Sequence, residues 1–146
     1  MTQYTLDTSA IIAYRARALP KNFYASGVAL AELIANADDD YERKTFEAIR
    51  QRHIESGTLI VPTAEDWLFA SRVLFWLTRR RKRSAGGQTP PQQTGASQRM
   101  MMDALIAVSA RRAGATVITN DWDDFKAIQY YCKVKLVRGR EYFKQG

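Results

Sequence analysis

Residues 101–125 read MMDALIAVSARRAGATVITNDWDDF, and the order of features in this stretch decides the fold. Asp103 leads a helical run whose face carries Ala107 and Ala110, small side chains that let a helix lie close to a sheet. Gly114 ends the run and suits a left-handed C-terminal cap. Residues 116–119 are β-branched and apolar, the composition of a buried strand. Asn120, Asp121, Asp123, Asp124 and Phe125 then form an acidic turn directly after that strand.

The same alternation extends over the rest of the chain. Residues 3–6 (QYTL) predict a strand, and residues 9–18 a helix that stops near Pro20. A short strand is expected at 23–26 and a helix at 28–37, broken by the three aspartates at 38–40. Residues 41–55 read as a charged amphipathic helix stopped by Gly57, and 58–61 (TLIV) as a strand closed by Pro62. Thr63 is placed to cap a helix with Asp66 in its first turn and Trp67, Ala70, Leu74 and Leu77 on one stripe. The helix carrying Asp103 is expected over 98–113, and a last strand at 134–137. Strands alternating with helices predict an α/β sandwich with a mainly parallel sheet. Such sheets bind ligands at the carboxyl ends of their strands. Asp7 and Asp121 each follow a strand, so both belong at one edge.

Composition narrows the chemistry. A chain of 146 residues fits a single domain over 1–146. Cys132 is the only cysteine and His53 the only histidine, which excludes an internal disulfide, a thiolate cluster and a histidine-rich metal site. No apolar run approaches the ~18 residues of a membrane span. The N-terminus lacks the order of a signal peptide, so a cytoplasmic location is expected. The net charge is +7, and it is concentrated. Arg79, Arg80, Arg81, Lys82, Arg83 and Arg99 lie in a segment, 79–99, that has no acid; without these six cations the chain holds 16 basic and 15 acidic residues. A basic cluster of this kind favours phosphate backbones or anionic surfaces.

Three local contexts hold the candidate catalytic acids. In LDTSAII (6–12), Asp7 ends a strand and Thr8 and Ser9 open a helix, which suits either a helix cap or a functional carboxylate held near helix amides. In VALAELIA (28–35), Glu32 is the only charge, and it marks either the solvent boundary of a helix or a polar site. In the third context, Asp103 sits either in a first helical turn favoured by the dipole or in a site. Gathered carboxylates repel one another unless a cation offsets them. Mg²⁺ or Mn²⁺ take oxygen ligands, and metal ions of this kind activate water against a phosphodiester.

On these segments the chain resembles the PIN-domain family, and within it the VapC-type toxins of toxin–antitoxin pairs. LDTSAII, ALAELIA and MDALIAVSARRAGATVITNDWDDF carry the likeness, and the T-x-D-x-x-D-F turn at 119–125 is its most specific part. The resemblance implies a Rossmann-like three-layer α/β/α sandwich and a Mg²⁺- or Mn²⁺-dependent endoribonuclease. It implies Asp7, Glu32, Asp103 and Asp121 as the catalytic, metal-holding acids, with Asp124 as an auxiliary ligand. Thr8, Ser9 and Thr119 would orient waters. It further implies an RNA substrate such as tRNA or rRNA, a cognate antitoxin and a homodimer. The bland alternatives are a catalytically silent RNA-binding module, or a PIN nuclease for RNA processing or DNA without an antitoxin.

One segment departs from the family pattern. Residues 79–99 form a long connection, basic at first and then rich in Pro and Gln, read as a loop insertion. Its cations are expected to contact RNA. Trp67, Phe69, Phe75 and Trp76 have helical spacing and are expected to pack in the core or a dimer interface. Tyr130, Tyr131, Tyr142 and Phe143 are expected to close the core, and Trp122 either packs or contacts substrate.

Overall fold

In a computed structural model, which describes residues 1–15, 19–86 and 95–145, the parallel sheet forms as expected. The elements follow in the order β1 (Gln3–Leu6), α1 (Thr8–Tyr14), β2 (Ala25–Ser26), α2 (Gly27–Ala35), α3 (Asp40–Ser56) and β3 (Leu59–Ile60). Then come α4 (Ala64–Ser84), α5 (Ala96–Arg112), β4 (Ala115–Thr119), α6 (Trp122–Cys132), β5 (Leu136–Arg138) and α7 (Gly139–Tyr142), with a closing 3₁₀ turn at Phe143–Gln145. The expected end of the first helix and the Pro/Gln-rich stretch 87–94 lie outside the described residues.

Strands β1, β4 and β5 pair in parallel in that order, and β2 pairs in parallel with β3. A parallel bridge between Tyr4 and Phe23 carries the pairing from β1 to the segment that enters β2. The layers follow from side-chain alternation along β4. Val117 enters the cluster built by α4, α5 and α6, while Ile118 packs on the opposite side with Leu6, Ala10 and Phe143. The result is a three-layer α/β/α sandwich. Helix α5 is its most enclosed helix, with every residue from Ala104 to Ala110 buried. Ala104, Ala107 and Ala110 supply the close approach to the sheet that the spacing predicts. Gly114 has φ +76°, the left-handed stop expected of it. No helix among the described residues is long and apolar enough to cross a membrane.

Helix α4 corrects two expectations. It continues through Arg79–Arg83 to Ser84, and α5 already begins at Ala96, so the six cations lie on helix ends instead of in a 79–99 loop. Arg and Lys are good helix formers, and cations in a last turn are favoured by the helix dipole. Its buried face is Asp66, Ala70, Val73 and Leu77, one residue out of phase with the expected Trp67 and Leu74. Trp67, Leu68, Phe75 and Trp76 are therefore exposed, not core. Asp66 sets this phase. It forms a capping box with Thr63 and accepts from Arg112 Nε at 2.7 Å. Asp66→Ala removes the box and a charged hydrogen bond together, a loss of roughly 2–3 kcal/mol. We expect a melting temperature lower by several degrees in calorimetry, and an unchanged melt would remove Asp66 as the anchor of α4.

Candidate active site

The backbone N–H of Asp7 donates to the Ile118 carbonyl at 3.1 Å, which ties the end of β1 to the end of β4. Asp7 and Asp121 thus meet at the carboxyl edge of the sheet, where the strand-end rule places a ligand. Asp7 is only 1% exposed and does cap α1, accepting from the Ala10 amide at 2.9 Å. Capping is half of its role. Its carboxylate also accepts from Ser9 Oγ on both oxygens at 2.9 Å and from Thr119 Oγ1 at 2.6 Å.

The hydroxyls expected near the site bond the acids themselves. Thr119 Oγ1 also accepts from the Asp121 amide at 2.9 Å, and Ser9 Oγ accepts from the Asn120 amide at 3.1 Å. Each hydroxyl therefore joins Asp7 to the turn that carries Asp121. Thr8 Oγ1 donates to Glu32 at 2.9 Å and links α1 to α2. Glu32 is partly buried at the boundary of α2, and this bond holds its carboxylate toward α1.

Asp103 lies two turns inside α5, not in its first turn, because the helix starts at Ala96. The dipole explanation falls with that position. Burial raises its carboxyl to about 8, and repulsion from Asp7, Asp121, Glu32 and Asp124 adds to the rise. Burial likewise raises Asp7 to about 6; hydrogen bonds from Thr119, Ala10 and Ser9 oppose the rise, and Asp121 adds to it. Glu32 and Asp121 are also shifted upward, each mainly by burial, with Asp121 acting on Glu32 and Asp124 on Asp121. The mutual repulsion shows that five acids from four segments share one field. Asp121 and Asp124 remain exposed at its mouth.

The donor chemistry fits a hard divalent cation. Among the described residues, no three acidic, histidine or cysteine side chains already close around one ion. The arrangement suits an ion held by one or two carboxylates whose other ligands are water and substrate oxygens, the mode Mg²⁺ adopts. Asp7, Asp103 and Asp121 would hold it, with Glu32 and Asp124 facing its field.

Arg99 lies one turn before Asp103 on α5, and Arg79–Arg83 close α4, where Arg81 reaches Met100 Sδ at 3.0 Å near the same part of α5. Sequence reasoning missed Tyr14, Asn120 and Gly139. The Tyr14 hydroxyl donates to Asn120 Oδ1 at 3.1 Å and steadies the residue before Asp121. A Cβ at Gly139 would collide with the Tyr14 ring and with Asn120 Oδ1, so only glycine fits there. The single signal available was the glycine itself, placed directly after a strand between two arginines.

A family model described as the PIN domain matches residues 4–129. Among solved structures, the chain is similar to one from VapBC-1 of nontypeable Haemophilus influenzae, at 21% identity and a TM-score of 0.57, over 94% of this chain and 98% of that one. It is similar to one from DNA-bound VapBC of Salmonella typhimurium, at 17% identity and a TM-score of 0.55, over 95% and 99%. It is also similar to one from VapBC-5 of Mycobacterium tuberculosis, a member of the VapBC family of toxin–antitoxin systems, at 26% identity and a TM-score of 0.50, over 94% and 99%. Comparison with curated protein sequences gives no match.

Proposed function

Because the chain belongs to the PIN-domain family, we propose that it is a metal-dependent endoribonuclease and the toxin of a toxin–antitoxin pair. The observation that carries this reading is the union of Asp7, Glu32, Asp103 and Asp121 at one sheet edge, with Asp7 locked by Ser9 and Thr119. A bound Mg²⁺ or Mn²⁺ would offset the repulsion of these acids and stabilise charge on the phosphoryl oxygens. Ser9 and Thr119 fix both oxygens of Asp7, so its geometry is set before substrate arrives. Thr8 does the same for Glu32. Asp121 and Asp124 stand at the open side, where they meet solvent and the incoming strand. In the reaction, a water oxygen attacks phosphorus and the P–O3′ bond breaks. The water's proton passes through the carboxylate cluster, and the leaving oxygen ends as a 3′-hydroxyl opposite a 5′-phosphate. Arg79–Arg83 and Arg99 would contact the RNA backbone.

The antitoxin has a fitting surface. An apolar groove of about 330 Å³, lined by Ile11, Leu30, Phe46 and Ile49, opens one turn along α1 from Asp7. The apolar face of an amphipathic helix would fill it. The exposed Trp67, Leu68 and Phe75 offer a face for a homodimer. Structural likeness to chains from VapBC complexes supports the antitoxin. Purified protein given structured RNA such as tRNA in Mg²⁺ is expected to cut it, and excess chelator to stop the cutting. RNA binding without cleavage at any metal concentration would instead favour a silent binding module.

A further inference from the structure

We propose that single-stranded RNA flanking the cleaved bond lies along α6 from Trp122 to Tyr130 and enters a cationic groove between α6 and the end of α4. The proposal rests on the nuclease reading and assigns the surface that leads the strand to that site. The groove has a volume of about 660 Å³. Leu77 and Ala127 lie in its floor, with Arg80, Arg81, Lys126 and Tyr130 around it, and its described lining holds no acid. Tyr130 is 69% exposed, unusual for an aromatic ring beside a core helix.

The rings and cations alternate. Trp122, Lys126 and Tyr130 follow one another at four-residue steps, on one stripe of α6. Arg138 lies 4.7 Å from the centre of the Trp122 ring and Lys126 Nζ 5.8 Å from it. The Arg80 guanidinium lies 5.1 Å from the centre of the Tyr130 ring. Trp122 directly follows Asp121, so the stripe begins at the acids. Its length is about 12 Å, the rise of roughly three to four stacked nucleotides. Cations alone would serve any nucleic acid. Trp122 is partly covered by its two cations, but the exposed Tyr130 ring serves only bases that are free to unstack, and a duplex has none.

The test is fluorescence anisotropy of the full chain with a short unstructured oligoribonucleotide, in chelator so that nothing is cut. Tyr130→Ala is expected to weaken binding about tenfold, and Tyr130→Phe to restore it. Arg80→Ala with Arg81→Ala is expected to weaken binding and flatten its salt dependence. A blunt RNA duplex should bind wild type and Tyr130→Ala alike. Unchanged single-strand affinity in Tyr130→Ala overturns the proposal, as does an equal loss for single strand and duplex. Intact RNA affinity with lost binding of the antitoxin also overturns it and makes the groove a protein-docking surface. Binding is read without turnover, so an inert wild type in Mg²⁺ would sink the nuclease reading while the tenfold Tyr130 effect still upholds the binding track.

Discussion

Asp103→Asn is expected to lower RNA cleavage at least ~10³-fold, the effect of losing about 4 kcal/mol of transition-state stabilisation. The folded state should survive the change. Asp103 sits within α5, whose packing comes from the buried run Ala104–Ala110, and an amide keeps the size of the carboxyl. Asp7→Asn should be as inactive but is harder to interpret. Its two oxygens accept from Ser9, Thr119 and the Ala10 amide, and an amide leaves only one oxygen to accept, so at least one of these bonds is lost. Asp103→Asn is thus the cleaner separation of charge from structure. Circular dichroism checks the fold, and full cleavage by a folded Asp103→Asn protein would remove Asp103 from the reaction.

The second large effect is on stability. In chelator, the melting temperature is expected to fall steadily as pH rises from about 4 to about 8. The sign follows from the two buried acids. Asp7 is raised to about 6 and Asp103 to about 8, whereas the unfolded chain titrates near the ordinary aspartate value. Between those limits the folded state holds more protons, so raising the pH favours unfolding. The contribution is complete below the unfolded value and is lost as pH passes first the Asp7 and then the Asp103 value. Adding Mn²⁺ or Mg²⁺ at pH 8 should restore the melt, since a ligand of the folded state stabilises it by mass action. Asp103→Asn should flatten the upper part of the curve and reduce the metal effect. A melt in chelator that stays level or rises over this range would contradict the repulsion among the acids.

Much of this was legible because strand ends are easy to read. A short apolar run followed by an acid places Asp7 at a sheet edge, and the same logic places Asp121 beside it. Gly114 showed its stop because few other residues take that conformation. Helix phase was harder. Trp67 and Leu74 fit a plausible apolar stripe, yet Asp66, a charged residue, occupies the buried side, its carboxylate accepting from the Thr63 amide and from Arg112. Helix starts were also obscure. Nothing in SQRMM resembles a cap, and α5 begins at Ala96, two residues before the expected start at 98, with Gly95 before it and no side-chain cap. The acidic turn hid α6, although Phe125, Ile128 and Cys132 mark its buried face. Tyr130, expected in the core, lies on the other face. Tyr14 and Asn120 meet only through the tertiary fold, and spacing along the chain holds no trace of that contact.

The central claim is hydrolysis of an RNA backbone at the Asp7–Asp103 edge, and the chemistry of the cut ends tests it most directly. Labelled RNA is treated with the protein in Mg²⁺ and in excess chelator, and both new termini are identified. The acid cluster predicts 5′-phosphate and 3′-hydroxyl ends in Mg²⁺ and no cut in chelator. Cyclic 2′,3′-phosphate ends that persist in chelator would contradict it, because such a cut uses the neighbouring 2′-hydroxyl in place of water.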